Sequence, residues 1–557
     1  MRKARGVTAA IGVAVIFFAW AMLPPQPRSV TPIVGIEVQR RTVAGAYHVH
    51  STRSDGAADK NTIALAASRA GLAFVILTDH GDGTRAPDPP EFLHGVLCID
   101  AVEISTTGGH YVALDMKPAA YPLGGEPSAV VEDVHRLGGF GIAAHPDSPR
   151  HELAWTDWSV PIDGIEWLSA DTEWRDESRV GLGRVLAGYV LRPAPALALM
   201  LDRPVATLER WDALTSMRRV VGLAAHDAHG GIGRGVEEGG ARRAAIGGVP
   251  SYEASFRTFS NRVVLDADFS SDAATAARQV LEAIEHGRVF TVVDAVATPG
   301  FVDFRDSNGR DVPLGSIVEP NAAPVFPNIS MPPGGLLSHV GSGSADGVSP
   351  PGVQLKRGAT RFEVSSPGAP GTPPVPWLVT NPLYVLPEPD ASAPPAADIS
   401  GTAGTPLPAD AVWHVEKDPG STATVTVSDG QPTLAYTLLP GGRVSQFAAL
   451  ATDLARVPGQ VQGIGLTASA QRPGRVSIQL RYPQQGGVRW GTSVYVDPIP
   501  RHHTITLDRL RPLDRQPGPA PDPASASTLL VVADLTNARP GDANVIHVSG
   551  VSFISRP

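Results

Sequence analysis

The sequence predicts a multidomain chain: an α/β domain with largely parallel strands, followed by two all-β domains of sandwich or jelly-roll type. Three observations predict this. Between Ala44 and Ala297 short apolar runs alternate with helical segments, the pattern of strands connected through helices. After Thr298 helical periodicity fades and Pro/Gly/Ser stretches appear, at Pro327 to Pro351, Ser366 to Pro374 and Pro387 to Pro408, which marks turn-rich β structure and linkers. From Thr405 to Pro557 short strand-like runs recur between turn signals, as they do in sandwiches. A length of 557 residues accommodates several domains.

In chain order, Arg2, Lys3 and Arg5 precede an apolar run from Val7 to Leu23, which ends at Pro24-Pro25-Gln26-Pro27. A basic start, a hydrophobic core and a Pro stop describe an export signal. Ala19-Trp20-Ala21 offers a small-x-small cleavage site, yet the run is nearly long enough to span a bilayer. Both readings stay open, and residues 1–43 are expected to be a signal peptide or signal-anchor plus tether. In either case the basic end stays cytoplasmic and the rest is exported, periplasmic or extracellular, with the membrane as a partner if the run is uncleaved.

Residues 44–297 form the α/β domain. Strands are expected at Ala73 to Leu77, Val96 to Val102, Tyr111 to Leu114, Phe140 to Ala144, Ile162 to Leu168 and Val220 to Ala225. Helices are expected at Lys60 to Ala70, Ser128 to Leu137 and Asp272 to His286, with Gly71, Gly138 and Gly287 as C-caps. The stretch Ser169 to Met217 reads as helices completing the domain, or as a lid or partner surface. Residues 298–388 read as a small β-sandwich, 389–404 as a Pro/Ala-rich linker, and 405–557 as a C-terminal sandwich.

Composition excludes some functions. A net charge of −9 argues against a nucleic-acid groove, which needs excess cations. Cys98, the lone cysteine, has no disulfide partner in the chain and lies in the apolar run Val96-Leu97-Cys98-Ile99; it reads as core.

The chemistry lies in a histidine-carboxylate series: His48-Val49-His50, Asp55, Asp79-His80, Glu103, His110, His145 and Asp227-Ala228-His229. Ten of the sixteen histidines fall between His48 and His229. Imidazole and carboxylate are the ligand types for Zn, Mn or Fe. His48 and His50, two apart on a strand, share a face. Phe74 to Leu77 runs into Asp79-His80, Ile142 to Ala144 into His145, and Leu223 to Ala225 into His226-Asp227-Ala228-His229. Polar residues at the C-terminal ends of strands are where α/β barrels place their active sites.

His48-Val49-His50-Ser51 with Ser54-Asp55-Gly56, Thr78-Asp79-His80, Glu103-Ile104-Ser105, His145-Pro146 and Asp227-Ala228-His229 resemble the PHP (polymerase and histidinol phosphatase) family, in family order, over about Tyr47 to Asp294. The resemblance implies a distorted seven-stranded (β/α) barrel holding two or three divalent metal ions (Mn, Zn or Fe) and hydrolysing phosphomonoesters, phosphodiesters or nucleotides. It implies that His48, His50, Glu103 and Asp227 hold one metal, and that Glu103 bridges to a second held also by His110 and His145. Asp55, His80 and His229 would hold a third. Glu103, Asp227 and His145 are the residues on which catalysis would depend most. Asp79 is expected to accept a hydrogen bond from a metal-binding imidazole, and His226, where the family more usually has a small or amide residue, to be buried behind the ligands. His110 is expected just before a strand. Arg53, Arg150 and His151, in loops beside ligands, are the candidates for holding a phosphate.

Phe362-Glu363-Val364 and Pro376 to Val385 resemble the closing strands of a small sandwich found after exported PHP domains. Residues 405–557 resemble galactose-binding-like jelly rolls more loosely, with Trp490 and Tyr495 as candidates for stacking on a glycan. The sequence thus points to an exported metal-dependent phosphoesterase acting on a phosphate-ester small molecule or polymer. The rivals are a cell-surface glycan-binding protein with a structural barrel, and a metal-dependent hydrolase of a non-phosphate bond.

Overall fold

A computed structural model describes residues 23–231, 249–320, 322–341, 352–386, 404–440, 445–454, 457, 461–482, 487–513 and 521–555. The chain divides into two compact units. The first takes Met1–Gly81, Ala86–Lys117 and Val134–Pro389, and the second Asp82–Arg85, Pro118–Asp133 and Asp390–Pro557. The expected signal segment, residues 1–22, lies outside the described residues. Among the described residues no helix is long and apolar enough to cross a membrane.

In chain order the elements are β1 (Arg28–Ser29), α1 (Ile36–Arg41), β2 (Thr42–Val49), α2 (Lys60–Ala70), β3 (Phe74–Leu77), β4 (Glu91–Leu93), β5 (Val96–Asp100), β6 (Val102–Thr106), β7 (Gly109–Leu114), α3 (Pro127–Arg136), β8 (Phe140–Ala143) and β9 (Gly164–Ser169). The helices α4 (Ala170–Asp176), α5 (Arg179–Tyr189), α6 (Pro193–Ala198) and α7 (Val205–Thr215) follow. Then come β10 (Val221–Ala225), α8 (Tyr252–Phe256), β11 (Ser260–Val264), α9 (Ala273–Glu285), β12 (Val289–Val292) and β13 (Ala297–Thr298). Local signals set the helix ends. Asp59 caps α2 by accepting from the Thr62 N–H, and Gly71 ends it in the left-handed conformation that glycine adopts without steric cost.

Two sheets build the first unit. One has five strands in the order β10-β9-β8-β7-β6; the other has ten and contains β12-β11-β2-β3-β5-β4. The pairs β2/β3, β3/β5, β8/β9 and β9/β10 are parallel. The pairs β6/β7 and β7/β8 are antiparallel, so the sheets are more mixed than expected. The reason is local: β6 and β7 are joined by a hairpin too short for a parallel crossover. The strands do not form one closed sheet as the resemblance implies. Isolated bridges, Val49 with Ala228 and His80 with Glu103, link the two sheets at the ends that carry the histidines.

Two expected boundaries differ. Residues 28–43 are not a tether, since β1 pairs in parallel with β13 and Val30, Val34 and Val38 are buried. Residues 298–388 do not make a separate sandwich either. Here β14 (Val302–Asp306) and β15 (Val325–Ile329) form a pair, while β16 (Leu336–Gly341), β17 (Gly358–Ser365), β18 (Leu378–Thr380) and β19 (Leu383–Val385) join the ten-stranded sheet. The join is β18 on β12, with Phe290 opposite Thr380 and Val292 opposite Leu378. Phe362, Val364 and Trp377 share one core with Trp167, Trp211 and Phe290; their apolar face is covered by the α/β strands, so no separate layer is needed.

The second unit is built on two six-stranded sheets. One contains Thr422–Ser428, Gln431–Thr437, Ala543–Ser555, Val461–Ala470 and Arg501–Thr506; the other contains Trp413–Lys417, Phe447–Asp453, Thr528–Asp534, Gly474–Tyr482 and Val488–Val496. Leu434, Ile464, Leu466, Ile478, Val531 and Ile546 are buried in its core. The two aromatic candidates for glycan stacking are already engaged. Trp490 packs against this core. Tyr495 stacks on Tyr121, with centroids 6.3 Å apart, and lies under the Arg501 guanidinium.

Candidate metal centre

His48 does not sit on a regular strand. The β2/β3 register shifts between Ala46 and Val49, and His48 has φ +61°. The strand thus carries an extra residue, a bulge that re-aims a side chain. His145, just after β8, and Asp227, just after β10, also have positive φ, at +29° and +43°. Left-handed backbone costs a non-glycine residue roughly 1–3 kcal/mol and persists only where its surroundings over-determine it. A short ladder does so here: the N–H groups of His226, Ala228 and His50 donate to the carbonyls of Tyr47, His48 and Ala228.

The result is a cluster centred on Glu103. Its Oε1 lies 2.7 Å from His110 Nδ1 and 3.0 Å from His145 Nε2. Its Oε2 lies 3.3 Å from His48 Nε2, 3.3 Å from His50 Nε2 and 3.2 Å from His80 Nδ1. Asp227 Oδ1 is 3.5 Å from His48 Nε2, 3.1 Å from His50 Nε2 and 3.7 Å from His229 Nδ1. Asp55 Oδ1 faces His50 Nδ1 at 3.4 Å, and its Oδ2 faces His229 Nε2 at 3.1 Å and His80 Nε2 at 3.7 Å. All nine side chains named from the resemblance therefore lie in one connected cluster. His48, His50, Glu103, His110, His145 and Asp227 are buried. His80, Asp55 and His229 have side chains 36%, 29% and 26% exposed, so they form the open rim.

The residues fit a multinuclear cation site. His48-Glu103-His145, His48-His50-Asp227, His50-Asp55-His80 and His80-Glu103-His110 each bring three ligand atoms within 4.8 Å of one another. His48 Nε2, His50 Nε2, Glu103 Oε2 and His145 Nδ1 are buried without a hydrogen-bond partner. Orphaned polar atoms at one point are rare in folded proteins unless something else satisfies them. Burial alone would raise the Glu103 carboxyl; the charge on His48 and the hydrogen bonds from His110 and His145 hold it well below the usual carboxylate range. Burial would lower His229, but Asp55 and Asp227 push it up to about 9. The chain alone is thus an array of paired charges in which cations can replace protons.

Several expectations change. Asp79 does not orient an imidazole. Its Oδ1 accepts from the N–H groups of Ser51 and Ser54 at 2.8 and 3.1 Å and from the Ser54 hydroxyl at 2.7 Å, and its Oδ2 accepts from the Ser51 hydroxyl at 2.7 Å. It holds the loop that carries Asp55. The carboxylate that contacts a ligand imidazole from behind is Glu166, missed in the sequence: Oε1 lies 2.6 Å from His48 Nδ1 and Oε2 accepts the His145 N–H at 2.7 Å. The available signal is a carboxylate in the middle of the otherwise uncharged strand Gly164–Ser169.

Arg53 is not open toward a substrate, because its guanidinium pairs with Asp88 at 2.5 Å and Asp100 at 2.9 Å. Arg150 and His151 are exposed in the loop after His145. His110 lies within β7, not before it. His226 is buried: Nε2 lies 3.0 Å from the Phe259 carbonyl, Nδ1 3.3 Å from the Tyr47 carbonyl, and the ring stacks on Phe259. Burial pushes it down to about 4, so it stays neutral behind Tyr47 and His48.

No family model matches the chain. Uncharacterized protein MJ1587 of Methanocaldococcus jannaschii is 29% identical over 119 residues, covering 21% of this chain and 69% of its own. A family 11 carbohydrate-binding module of the cellulase Lic26A-Cel5E of Clostridium thermocellum is 13% identical, covering 28% of this chain and 97% of its own, with a TM-score of 0.23. A Bifidobacterium adolescentis protein, described only provisionally as a metal-dependent phosphoesterase, is 12% identical, covering 35% of this chain and 91% of its own, with a TM-score of 0.24. At such scores neither structural likeness bears on chemistry.

Proposed function

We propose that this chain is an exported metal-dependent phosphoesterase of PHP type, hydrolysing a phosphomonoester or phosphodiester. The observation that carries the reading is Glu103, whose two oxygens face five imidazoles, with His110 and His145 on one and His48, His50 and His80 on the other. His48, His50, Glu103 and Asp227 would hold one divalent ion, Glu103, His110 and His145 a second, and Asp55, His80 and His229 a third. Bound there, Mn, Zn or Fe ions would supply positive charge against phosphoryl oxygens and a water acidic enough to act as nucleophile. The seven-stranded reading of the domain draws support from the two isolated bridges, which bring the end of β2 beside the residues after β10 and the residues after β3 beside β6.

The chain's own residues do the positioning. The buried floor (His48, His50, Glu103, His145, Asp227) excludes water and keeps its carboxylates ionised; the half-exposed rim of Asp55, His80 and His229 is the side from which a substrate can enter. Asp79 fixes the loop of Ser51 to Ser54 and with it Asp55. Arg150 and His151, exposed in the loop after His145, are the remaining candidates for contacting phosphate. Export rests on the basic start and apolar run of residues 1–23.

The test is purified full-length protein assayed for bound metal and for hydrolysis of bis(p-nitrophenyl) phosphate, p-nitrophenyl phosphate and a panel of carboxylic esters and amides. Glu103→Ala should lose phosphoester hydrolysis by two orders of magnitude or more while remaining folded, roughly the loss seen when a preorganised catalytic charge is removed. Wild-type protein free of metal, or turnover of amides alone, would overturn the reading.

A further inference from the structure

Within the second unit a cavity of about 300 Å³ opens among the turn Arg472 to Gly474, the end of the strand Thr528–Asp534 and the start of the strand Ala543–Ser555. Small-molecule sites run from about 300 to 1,000 Å³, so this one suits a small ligand. Tyr436, on the strand Gln431–Thr437, lines the cavity and is only 9% exposed. Its hydroxyl nevertheless has no hydrogen-bond partner among the described residues. A buried phenol ordinarily finds one. Burial, reinforced by the charges of Asp542 and Asp534, pushes that hydroxyl up to about 12, so it keeps its proton and is free to donate.

The other polar groups lining the cavity are fixed through one atom and left free at another. Asp534 Oδ1 accepts the Thr536 N–H at 2.8 Å, and Asp542 Oδ2 accepts the Arg539 N–H at 2.7 Å. The second oxygen of each carboxylate is unengaged among the described residues. Asn544 holds the backbone of Arg472, its Oδ1 accepting the N–H at 3.1 Å and its Nδ2 donating to the carbonyl at 3.0 Å. The Arg472 guanidinium itself has no hydrogen bond or ion pair among the described residues. Two acceptors, one cationic donor and one phenol thus line a single cavity with their bonding capacity unspent.

We propose that this cavity binds one ring of a neutral sugar, with Tyr436, Arg472, Asp534 and Asp542 as its polar contacts. A hydroxyl both donates and accepts, so a sugar can give protons to Asp534 and Asp542 while accepting from Arg472 and Tyr436. A simple anion would meet two carboxylates there, and a simple cation a guanidinium. Val476, Ala533 and Ile546 supply apolar wall for the C–H groups of the ring. Because the loop and turn are already tied down, little ordering opposes binding. The site is distinct from Trp490 and Tyr495, and it stands or falls separately from the hydrolytic chemistry.

The experiment titrates the full chain by saturation-transfer NMR and calorimetry with glucose, galactose, mannose, arabinose and N-acetylglucosamine, and separately with calcium and with glycine. At least one sugar should bind. Tyr436→Phe removes only the hydroxyl and should weaken that sugar by roughly 10-fold, the effect of leaving polar partners unpaired. Arg472 is exposed, so Arg472→Ala leaves the fold intact and should weaken the same sugar by a similar factor, which keeps the test decisive if Tyr436→Phe is unstable. Binding of none of the five sugars overturns the proposal. So does a sugar held equally well by the folded variants, which would place it elsewhere, and so does a response to calcium or glycine alone. Loss of phosphoester hydrolysis is read in its own assay and has no bearing on these outcomes.

Discussion

Glu166 Oε1 lies 2.6 Å from His48 Nδ1, while the other oxygen of the same carboxylate accepts the His145 N–H at 2.7 Å. One buried side chain thus ties down two candidate ligand residues, and both carry positive φ. It also orients His48 so that Nε2, not Nδ1, faces Glu103 and Asp227. A glutamine can accept from only one of the two donors and would present its NH2 to the other. Glu166→Gln should therefore weaken Mn or Zn binding by roughly 10- to 100-fold, the usual effect of losing a group that orients a ligand. Isothermal titration of metal-free protein reads this directly, and an unchanged affinity would remove Glu166 from the site.

Asp79 gathers four donors, the N–H and hydroxyl of both Ser51 and Ser54. Asp79→Ala leaves buried donors unsatisfied, at a cost of about 2–5 kcal/mol, and loosens the loop before Asp55. Urea unfolding should show the loss with and without metal, and Asp79→Asn should fall between the two. If alanine left the urea midpoint unchanged, the four bonds would not hold the loop.

Glu173 is buried on α4, and burial, reinforced by the charges of Asp202, Asp176 and Asp147, pushes its carboxyl up to about 9. The folded chain therefore keeps a proton there that the unfolded chain releases above about 4.5. A raised folded value means stability that is full below 4.5 and is lost as pH rises toward 9, at no more than roughly 1.4 kcal/mol per pH unit. Glu173→Gln mimics the protonated form, so it should match wild type near pH 4.5 and exceed it by roughly 1–3 kcal/mol at pH 8. Parallel stability–pH curves for the two proteins would refute this.

Glu363 on β17 receives both arms of Arg203, at 2.5 and 3.1 Å, and Arg361 Nη2 at 2.8 Å. Arg361 is fully buried and also pairs with Asp212. Glu363→Ala leaves Arg361 short of counter-charge and should cost about 3–5 kcal/mol, whereas Glu363→Leu with Arg361→Met should be much milder. Denaturant midpoints of the single and double variants separate a broken ion pair from lost packing.

Much of the local structure was legible in the sequence. Lys60 to Ala70 is α2 residue for residue, because Asp59 and Gly71 cap it. The apolar runs from Val96 to Ala225 became strands within a few residues of their expected bounds. Each of these follows from short-range patterning, which a linear reading can see. That strands within residues 298–388 join the α/β domain instead of forming a sandwich is not legible locally, because their burial against Trp167 and Phe290 is a long-range fact.

By itself, then, the sequence determined the inventory: which imidazoles and carboxylates end which strands, and hence that the chain carries a metal-type ligand set. Only the tertiary structure decided which of them face one another. The bulge at His48 breaks the alternation that a linear reading assumes. The partner behind His48 is not Asp79 but Glu166, 118 residues away. Register across a sheet is set by the packing of whole strands, so the identity of that partner, unlike the histidines themselves, is not written at any one place in the chain.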